Sequence, residues 1–349
     1  MHRKELIIIF VALSMCSSAN SVQVNNVTVD QCTQACHYDT SSLDNVMNCT
    51  QRQCTYTPEF DTSYWSSTKN VNGLYLRDNM IENVTRFSEL KYLQVVDLTN
   101  SQVKTITKGA FSPCDSLKAL ILADNLLQEA PPSYFVGLEH LEILDLSSNG
   151  IRVLHTGDLS VFQNLRVLRL QRNGLHTIDT GALDNLRSLE YLHLEDNSLR
   201  EFELGISNKK LIELNLQRNN LAEIKMGEFF FGDNLEFLDL EANQIKRVET
   251  GAFSGVGNLR VLNLKGNLID RMEVGVLNDL LSLEDLVLDD NHIADIYVGS
   301  LPINLQKFSL KVCLVRPGVQ PTNTSGRTGS SQTSTLPLVF SASVYFKPD

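Results

Sequence analysis

Three kinds of feature are missing from this sequence, and each absence excludes a class of function. No apolar run reaches the roughly 20 residues that a membrane-spanning helix needs. Basic residues are few, since 30 Lys and Arg stand against 41 Asp and Glu, and a net charge of -11 argues against binding to nucleic acid or anionic lipid. There is also no nucleophile elbow, no phosphate-binding glycine loop and no His-Cys cluster with metal spacing. We therefore expect no membrane span, no nucleic-acid partner, no enzyme activity, and no cofactor or metal.

The N-terminus has the layout of a secretory signal peptide. Basic residues at positions 2–4 precede a short apolar run from Leu6 to Leu13, and small residues follow at 17–19. We predict cleavage after Ala19 and a mature chain that is secreted into the extracellular space.

Sequons for N-linked glycosylation agree with that route. They begin at Asn26, Asn48, Asn83 and Asn323, so the stretch from Thr99 to Leu310 contains none. We therefore expect glycans to leave most of the repeat region unobstructed.

From Val71 onward one pattern recurs: apolar, two variable, apolar, one variable, apolar, two variable, asparagine, one variable, apolar. One copy starts at Leu141 and reaches its asparagine at Asn149. The spacing between copies is 24 residues, except for three spacings of 22, and this gives eleven repeats. The asparagine position is occupied by Asn79, Ser101, Asn125, Asn149, Asn173, Asn197, Asn219, Asn243, Asn267, Asn291 and Cys313.

Each repeat predicts a short strand followed by a turn. Because side chains alternate along a strand, Leu144 and Leu146 should point inward while Ile143, Asp145 and Ser147 point outward. The asparagine amide can both donate and accept, so stacked asparagines should form a ladder that pairs backbone groups of neighbouring turns. Ser101 and Cys313 are smaller substitutes that predict local irregularity in this ladder.

The return half of each repeat carries a second apolar register, predicted to fill the convex side of the core. No repeat can bury its leucines alone, so stacking must stabilise the array. Residues 198–208 lack this register, which predicts a tighter convex turn. The register comprises Phe111, Phe135, Leu159, Leu183, Phe229, Phe253 and Leu277, and three residues further on Cys114, Leu138, Phe162, Leu186, Val256 and Leu280.

The pattern resembles the extracellular leucine-rich repeat proteins of animals, from about Cys32 to Val315. The resemblance extends to secreted invertebrate immune proteins of this type, although the coiled coil that those often add is absent. It implies an α/β repeat fold: a curved, right-handed β-α solenoid with a parallel sheet on the concave face and a disulfide-bonded N-terminal cap. The implied domains are a signal peptide (1–19), the cap (20–70), eleven repeats (71–315) and a disordered tail rich in Ser, Thr, Gly and Pro (316–349).

Four cysteines, Cys32, Cys36, Cys49 and Cys54, cluster just before the first repeat. In an oxidising compartment they predict two disulfides, whose connectivity the spacing leaves open. The family resemblance favours Cys32 with Cys49 and Cys36 with Cys54.

Two further cysteines lie about eight repeats apart, too far to bond to each other. Cys114 falls in the convex register, so we expect a buried thiol. Cys313 lies in the last repeat, where it is either free or bonded to another chain. No second cysteine-rich flank follows, so the tail, a partner subunit or nothing covers the last repeat. A homo- or heterodimer through this end or through Cys313 is one expectation.

The outward strand positions of the concave face are the predicted partner-binding surface, because the resemblance implies contact there. Tyr191 and Phe237 occupy equivalent positions two strands apart in an acidic field, a plausible anchor for a basic or amphipathic partner. The alternative is an ordinary solvated polar face. The predicted partner-binding residues are Arg169, Tyr191, His193, Glu195, Glu213, Phe237, Asp239, Glu241, Asp285 and Asp289.

The sequence thus predicts a secreted recognition module for an extracellular protein or glycoconjugate, with host defence as the role that the resemblance implies. Two other classes stay open: a component of extracellular matrix or adhesion, and a soluble or truncated receptor ectodomain.

Overall fold

The computed structural model describes residues 36–39, 45–57, 71–87, 90, 92–203, 208–230, 232–293, 301–314 and 338–345. The predicted signal peptide, the sequons at Asn26 and Asn323, Cys32 and most of the predicted tail lie outside these residues.

Short strands make up almost all the regular structure of the described residues. Among these described residues, one 3-10 turn at Pro132–Phe135 interrupts the strands. The strands are β1 (His37–Asp39), β2 (Val46–Asn48), β3 (Gly73–Tyr75), β4 (Asn83–Val84), β5 (Val95–Asp97), β6 (Thr105–Ile106), β7 (Ala119–Ile121), β8 (Ile143–Asp145), β9 (Val153–Leu154), β10 (Val167–Arg169), β11 (Thr177–Ile178), β12 (Tyr191–His193), β13 (Glu213–Asn215), β14 (Glu223–Ile224), β15 (Phe237–Asp239), β16 (Arg247–Val248), β17 (Val261–Asn263), β18 (Asp285–Val287), β19 (Lys307–Leu314) and β20 (Leu338–Tyr345).

One strand from each turn of the chain joins a single 14-stranded sheet. Its order is β1-β2-β3-β5-β7-β8-β10-β12-β13-β15-β17-β18-β19-β20. Pairing is parallel from β2 to β19 and antiparallel at both ends. The register places equivalent repeat positions side by side, as in Leu144, Leu168 and Leu192 on three neighbouring strands. The predicted solenoid with its parallel concave sheet is confirmed.

The core lies between this sheet and the convex turns. Inward strand leucines such as Leu144 and Leu168 have no exposed surface, and the convex register is buried with them. Cys114 is likewise buried, as predicted, and it is a free thiol. Burial, and to a smaller extent the negative charge of Asp115, raises the pKa of Cys114 to about 12. The thiol therefore stays protonated and unreactive.

The asparagine ladder is present as predicted. The amide nitrogen of Asn219 donates to the carbonyl oxygens of Leu194 and Leu216, both at 3.0 Å, and its oxygen accepts from the amide of Leu199 at 3.0 Å. The side chain therefore pairs backbone groups of two successive turns that would otherwise be buried without partners. Ser101 makes a shorter link, donating to the Leu76 carbonyl at 2.6 Å.

The convex half differs in detail from the predicted β-α repeat. Within the described residues it consists of turns and two-residue strands, paired as β4-β6, β9-β11 and β14-β16, rather than α-helices. A return segment of this length can cross the convex side in turns because its buried aromatic rings fill the space. Phe135 and Phe162 have ring centroids 5.0 Å apart, and Phe229 and Phe253 stack at 6.3 Å.

The short repeat interrupts the convex side where the sequence predicts a tighter turn. No two-residue strand occurs among the described residues between β11 and β14, and a cavity of about 420 Å³ opens there. Asp184, Phe202 and Glu228 line it. Burial raises the pKa of the Glu228 carboxyl to about 7. The hydrogen bond that this carboxyl accepts from the backbone amide of Lys225 lowers the pKa, but by less.

The N-terminal cap is part of the same sheet, because β1 and β2 form an antiparallel pair and β2 continues in parallel into β3. The cap contains a Cys36–Cys49 disulfide. The pairing of Cys36 with Cys54 and of Cys32 with Cys49 implied by the resemblance is therefore wrong. The antiparallel register sets His37 opposite Asn48, which brings the neighbouring cysteines within 4.3 Å at Cα. Cys54 is also disulfide-bonded.

One segment of the predicted disordered tail is described by the structure, and it is a strand. Leu338–Tyr345 forms β20, which pairs antiparallel with β19 along all eight residues. The strand β19 runs through position 313 and does not turn there, so Cys313 lies opposite Val339 in a ladder of strands instead of taking the asparagine position of a turn. The sequence left open whether the tail, a partner subunit or nothing covers the last repeat. In the structure a segment of the tail, β20, lies beside β19 of that repeat.

Within the described part of the chain, no helix has the length and apolar character needed to cross a membrane.

Candidate functional site

The outward positions of the strands line the concave face in straight rows, because the parallel strands are in register. One row runs Val167, Tyr191, Glu213, Phe237 and Val261, and each pair of neighbours lies on adjacent strands. Tyr191 and Phe237 thus flank Glu213 directly. All three side chains are half-buried.

A second row carries Asp145, Arg169 and His193. A guanidinium nitrogen of Arg169 lies 3.8 Å from a carboxylate oxygen of Asp145, with their side chains only 16% and 14% exposed. Burial lowers the pKa of Arg169, while Asp145, Glu195 and Glu213 raise it. The charges of Arg169 and Asp145 are therefore largely shielded from water, and the contact between these two side chains is a long one.

His193 is neutral at physiological pH. Burial, and then the positive charge of Arg169, lower the pKa of His193 to about 4. Its Nδ1 lies 3.9 Å from Oε2 of Glu195, too far for a hydrogen bond. A neutral imidazole offers one donor and one acceptor, so His193 contributes hydrogen bonding to this face instead of charge.

Two acceptor atoms beside His193 have no hydrogen-bond partner among the described residues. They are Oε1 of Gln171 and Oε2 of Glu195, each two residues past the end of its strand, β10 and β12 respectively. Burial is also the main cause that raises the pKa of Glu195. Unpaired buried acceptors cost free energy, about 1–3 kcal/mol for a neutral group, which a donor from a binding partner can recover.

The next carboxylates are held by their neighbours. Asp239 accepts the backbone amide of Glu241 at 2.9 Å, and burial raises the pKa of Asp239. Glu241 accepts from the amide nitrogen of Asn263 at 3.0 Å and from Nζ of Lys265 at 3.2 Å. Glu241 therefore presents a partly neutralised charge.

We call the eight residues on or directly following β10, β12, β13 and β15 the aromatic–acidic patch. The structure brings these eight predicted residues together on four adjacent strands. They are Arg169, Tyr191, His193, Glu195, Glu213, Phe237, Asp239 and Glu241.

The other two predicted residues lie apart from this patch. Asp285 is on β18, two strands beyond β15, with Lys307 Nζ at 3.5 Å. Asp289 accepts hydrogen bonds from the Ser309 hydroxyl and, at 2.6 Å, from the Lys311 backbone amide. Asp289 therefore anchors β19 to the preceding repeat.

Sequence reasoning missed a second apolar cluster on the concave face. Ala119, Ile121, Ile143 and Val167 pack together across three adjacent strands on the side of the sheet opposite the core. Their exposure is only 1–8%, so a partner would remove little further apolar surface from water there. The cluster stiffens the sheet, and the aromatic–acidic patch begins beside it at Tyr191, which packs against it. A spacing of 24 between outward apolar residues was the available signal.

Among the described residues, no group of three or more His, Cys, Asp and Glu side chains is arranged to hold a metal ion.

A family model described as "Leucine rich repeat" matches residues 115–175, 163–221 and 233–293. These segments contain the strands of the large sheet from β7 to β18 and the ladder asparagines from Asn125 to Asn291. The solenoid is a leucine-rich repeat fold.

Solved leucine-rich repeat structures resemble it. TLR13, in a complex with ssRNA13, shares 26% identity at a TM-score of 0.64 over 73% of this chain, which spans 41% of the TLR13 chain. A Leptospira interrogans LRR protein shares 26% sequence identity at a TM-score of 0.58, and the match covers 73% of this chain and 69% of that chain. The Toll–Spätzle complex from Drosophila shows the same fold at 22% identity and a TM-score of 0.65, over 77% of this chain and 38% of that chain.

The TLR13 complex overturns one prediction. Net charge excluded a nucleic-acid partner, yet a similar leucine-rich repeat solenoid was solved with single-stranded RNA. Net charge is a sum over the whole chain, whereas a ligand bound to an elongated solenoid interacts mainly with the charged side chains near its binding site. Here Arg152, His176 and Arg200 are exposed at the same repeat position in three consecutive turns, although the chain carries -11 overall.

Proposed function

We propose that the chain is a secreted recognition protein that binds a protein partner through the aromatic–acidic patch. Host defence is the setting that the family resemblance implies. The observation that carries the proposal is the row of Tyr191, Glu213 and Phe237, in register on three neighbouring strands.

Aromatic side chains that are half-buried in the free protein suit an interface, because they bring large contact area with few rotatable bonds. They are enriched among the residues that dominate binding energies. The sheet fixes the backbone at Tyr191 and Phe237, and Tyr191 packs against the concave apolar cluster, so less conformational entropy is lost when a partner covers them.

The charges of the patch favour a basic partner. The patch carries four carboxylates, on Glu195, Glu213, Asp239 and Glu241. Arg169 is its own cation, and Lys265 and Arg218 beside it offset part of the negative charge. Burial raises the pKa of Glu195 and of Asp239, which shows that both carboxylates are already partly desolvated. A Lys or Arg side chain of a partner would add positive charge to this acidic group and a donor for Glu195 Oε2.

The test compares partner capture by the parent chain and by the double variant Glu213→Lys, Phe237→Ala. Extracellular fluid is passed over each immobilised chain, and the affinity of the captured protein is then measured. We expect the double variant to weaken binding at least about 30-fold, since truncating a central aromatic costs about 2 kcal/mol or more.

The control carries the same charge reversal and a truncation of an apolar side chain to alanine, both outside the patch. Glu129 and Val274 are exposed, Val274 at 69%, so Glu129→Lys, Val274→Ala should bind like the parent. Equal loss of affinity in both variants, or in neither, would remove the patch from the interface.

A further inference from the structure

The cap strand β2 places a sequon on the concave face. Met47 of β2 points into the core with 1% exposure, so Asn48, the next residue, points to the opposite side of the sheet. Asn48 pairs in register with Tyr75 of β3. The row that holds Tyr75 continues through Asp97 and, further along, Asp145 and Arg169.

The side chain of Asn48 is oriented with its nitrogen available. Its Oδ1 accepts the backbone amide of Thr50 at 2.9 Å, which fixes the amide in an Asx turn within the Asn48-Cys49-Thr50 sequon. Within the described residues, no hydrogen bond engages Nδ2 of Asn48. The side chain is half-buried between His37 and Tyr75 on the neighbouring strands.

The sequon at Asn83 has a different position. Asn83 lies on β4, outside the concave sheet, and is exposed. Its Nδ2 donates to Thr107 Oγ1 at 3.3 Å, and its Oδ1 accepts from Thr105 Oγ1 at 2.9 Å. A glycan at Asn83 would therefore stand on the flank of the solenoid, away from the partner-binding surface.

We propose that Asn48 carries an N-linked glycan that covers the N-terminal end of the concave face. In the linkage step Nδ2 of Asn48 attacks the anomeric carbon of an oligosaccharide carried on a lipid pyrophosphate. The carbon–oxygen bond to the pyrophosphate breaks, the lipid pyrophosphate leaves with the bonding electrons, and Nδ2 loses one proton.

The glycan sets a boundary to the binding surface. Five strand steps separate β2 from β10, where the aromatic–acidic patch begins, about 24 Å along the sheet at ~4.8 Å per strand. The sugar would therefore cover β2, β3 and β5 and leave the aromatic–acidic patch open. This inference shares the secretory route with the proposed function and is independent of what binds the patch.

Modification is tested on the full chain secreted from cultured animal cells. Enzymatic deglycosylation in heavy-oxygen water marks each modified asparagine, and peptide mass spectrometry locates the marks. We expect a mark at Asn48 that is lost in both Asn48→Gln and Thr50→Ala and kept in Asn83→Gln. A mark at Asn83 with Asn48 unmodified would overturn the site and leave secretion intact, whereas no mark at any sequon would overturn both.

Coverage is tested by thiol labelling at two matched positions. Gln94 and Gln306 are exposed and precede β5 and β19 at the same repeat position, one at each end of the face. A bulky maleimide should label Gln94→Cys several-fold more slowly than Gln306→Cys, and deglycosylation or Asn48→Gln should remove the difference. The parent chain gives the background rate. Equal rates in the glycosylated chain would overturn coverage of the concave face.

Discussion

At the scale of single residues, the asparagine ladder shows why one side-chain type recurs at a fixed position. An amide both donates and accepts, so Asn219 can pair the carbonyl oxygens of Leu194 and Leu216 and the amide of Leu199 at once. Ser101 donates from its hydroxyl to Leu76, while its own backbone amide is paired by Asn125. The ladder was predictable from sequence because its chemistry depends only on local spacing.

Replacing a ladder asparagine should destabilise the solenoid. In Asn219→Ala the backbone groups of Leu194 and Leu199 lose their side-chain partners inside the protein, at about 2–4 kcal/mol in the free energy of unfolding. Chemical denaturation measures the loss. The control is Asn220→Ala at the next position, where the side chain only accepts from Gln244 at the surface. Equal stability of the two variants would contradict the structural role of the ladder.

Glu228 should make stability depend on pH. Burial raises its pKa from 4.5 to about 7, so the folded state holds the proton more tightly than the unfolded state. Its contribution to stability is present below pH 4.5 and is lost as the pH rises through 7, by at most about 3 kcal/mol. Glu228→Gln should therefore match the parent near pH 4.5 and exceed its melting temperature at pH 8. The exposed Glu203 on the same cavity gives the control Glu203→Gln, for which a similar pH-dependent gain would argue against burial as the cause.

At the scale of the element, strand periodicity was readable from sequence, and the structure of the return segments was not. Alternation along three or four residues fixes which side chains face the core, as for Leu144 and Ile143. The return segments carry a short pattern of buried positions three residues apart, as at Phe135 and Leu138. Such a short pattern fits a 3-10 turn or an irregular turn as well as an α-helix. Pairing across distant segments also decided the cap and the C-terminal strand. The register of β1 with β2 sets Cys36 against Cys49.

The strand β20 should protect β19 from solvent exchange. Ending the chain at residue 337 removes β20 and with it the eight antiparallel residue pairs between β19 and β20. Amide hydrogen exchange should then accelerate across Lys307–Leu314, because these backbone groups lose their partners on that edge. Amides of β17, in the middle of the sheet, serve as the internal control and should exchange as before. Unchanged protection of β19 would show that β20 does not cover the last repeat.

At the scale of the whole molecule, the in-register stack makes an elongated protein with a local charge pattern. Fourteen strands span about 60 Å along the sheet at ~4.8 Å per strand. Acidic and aromatic groups gather on β10 to β15, while the exposed basic residues Arg152 and Arg200 occupy the same position of two repeats, outside these strands. Net charge therefore describes no single surface of this chain.

Small-angle X-ray scattering checks the elongated shape. A compact domain of 349 residues would have a radius of gyration near 20 Å. We expect a clearly larger value and a distance distribution with a long tail. A value at the compact limit would contradict the solenoid and the concave face that depends on it.

The sequence by itself determined the repeat, the inward leucines, the ladder and the membership of the outward rows, because each follows from spacing along the chain. Tertiary structure alone decided which outward side chains are desolvated, as at His193 and Glu195, and which are engaged by the next repeat, as at Asp289. It also placed Asn48 on the concave face. Burial and electrostatic environment depend on neighbours that lie more than twenty residues away in sequence, and only the stacking of one turn on another brings them together.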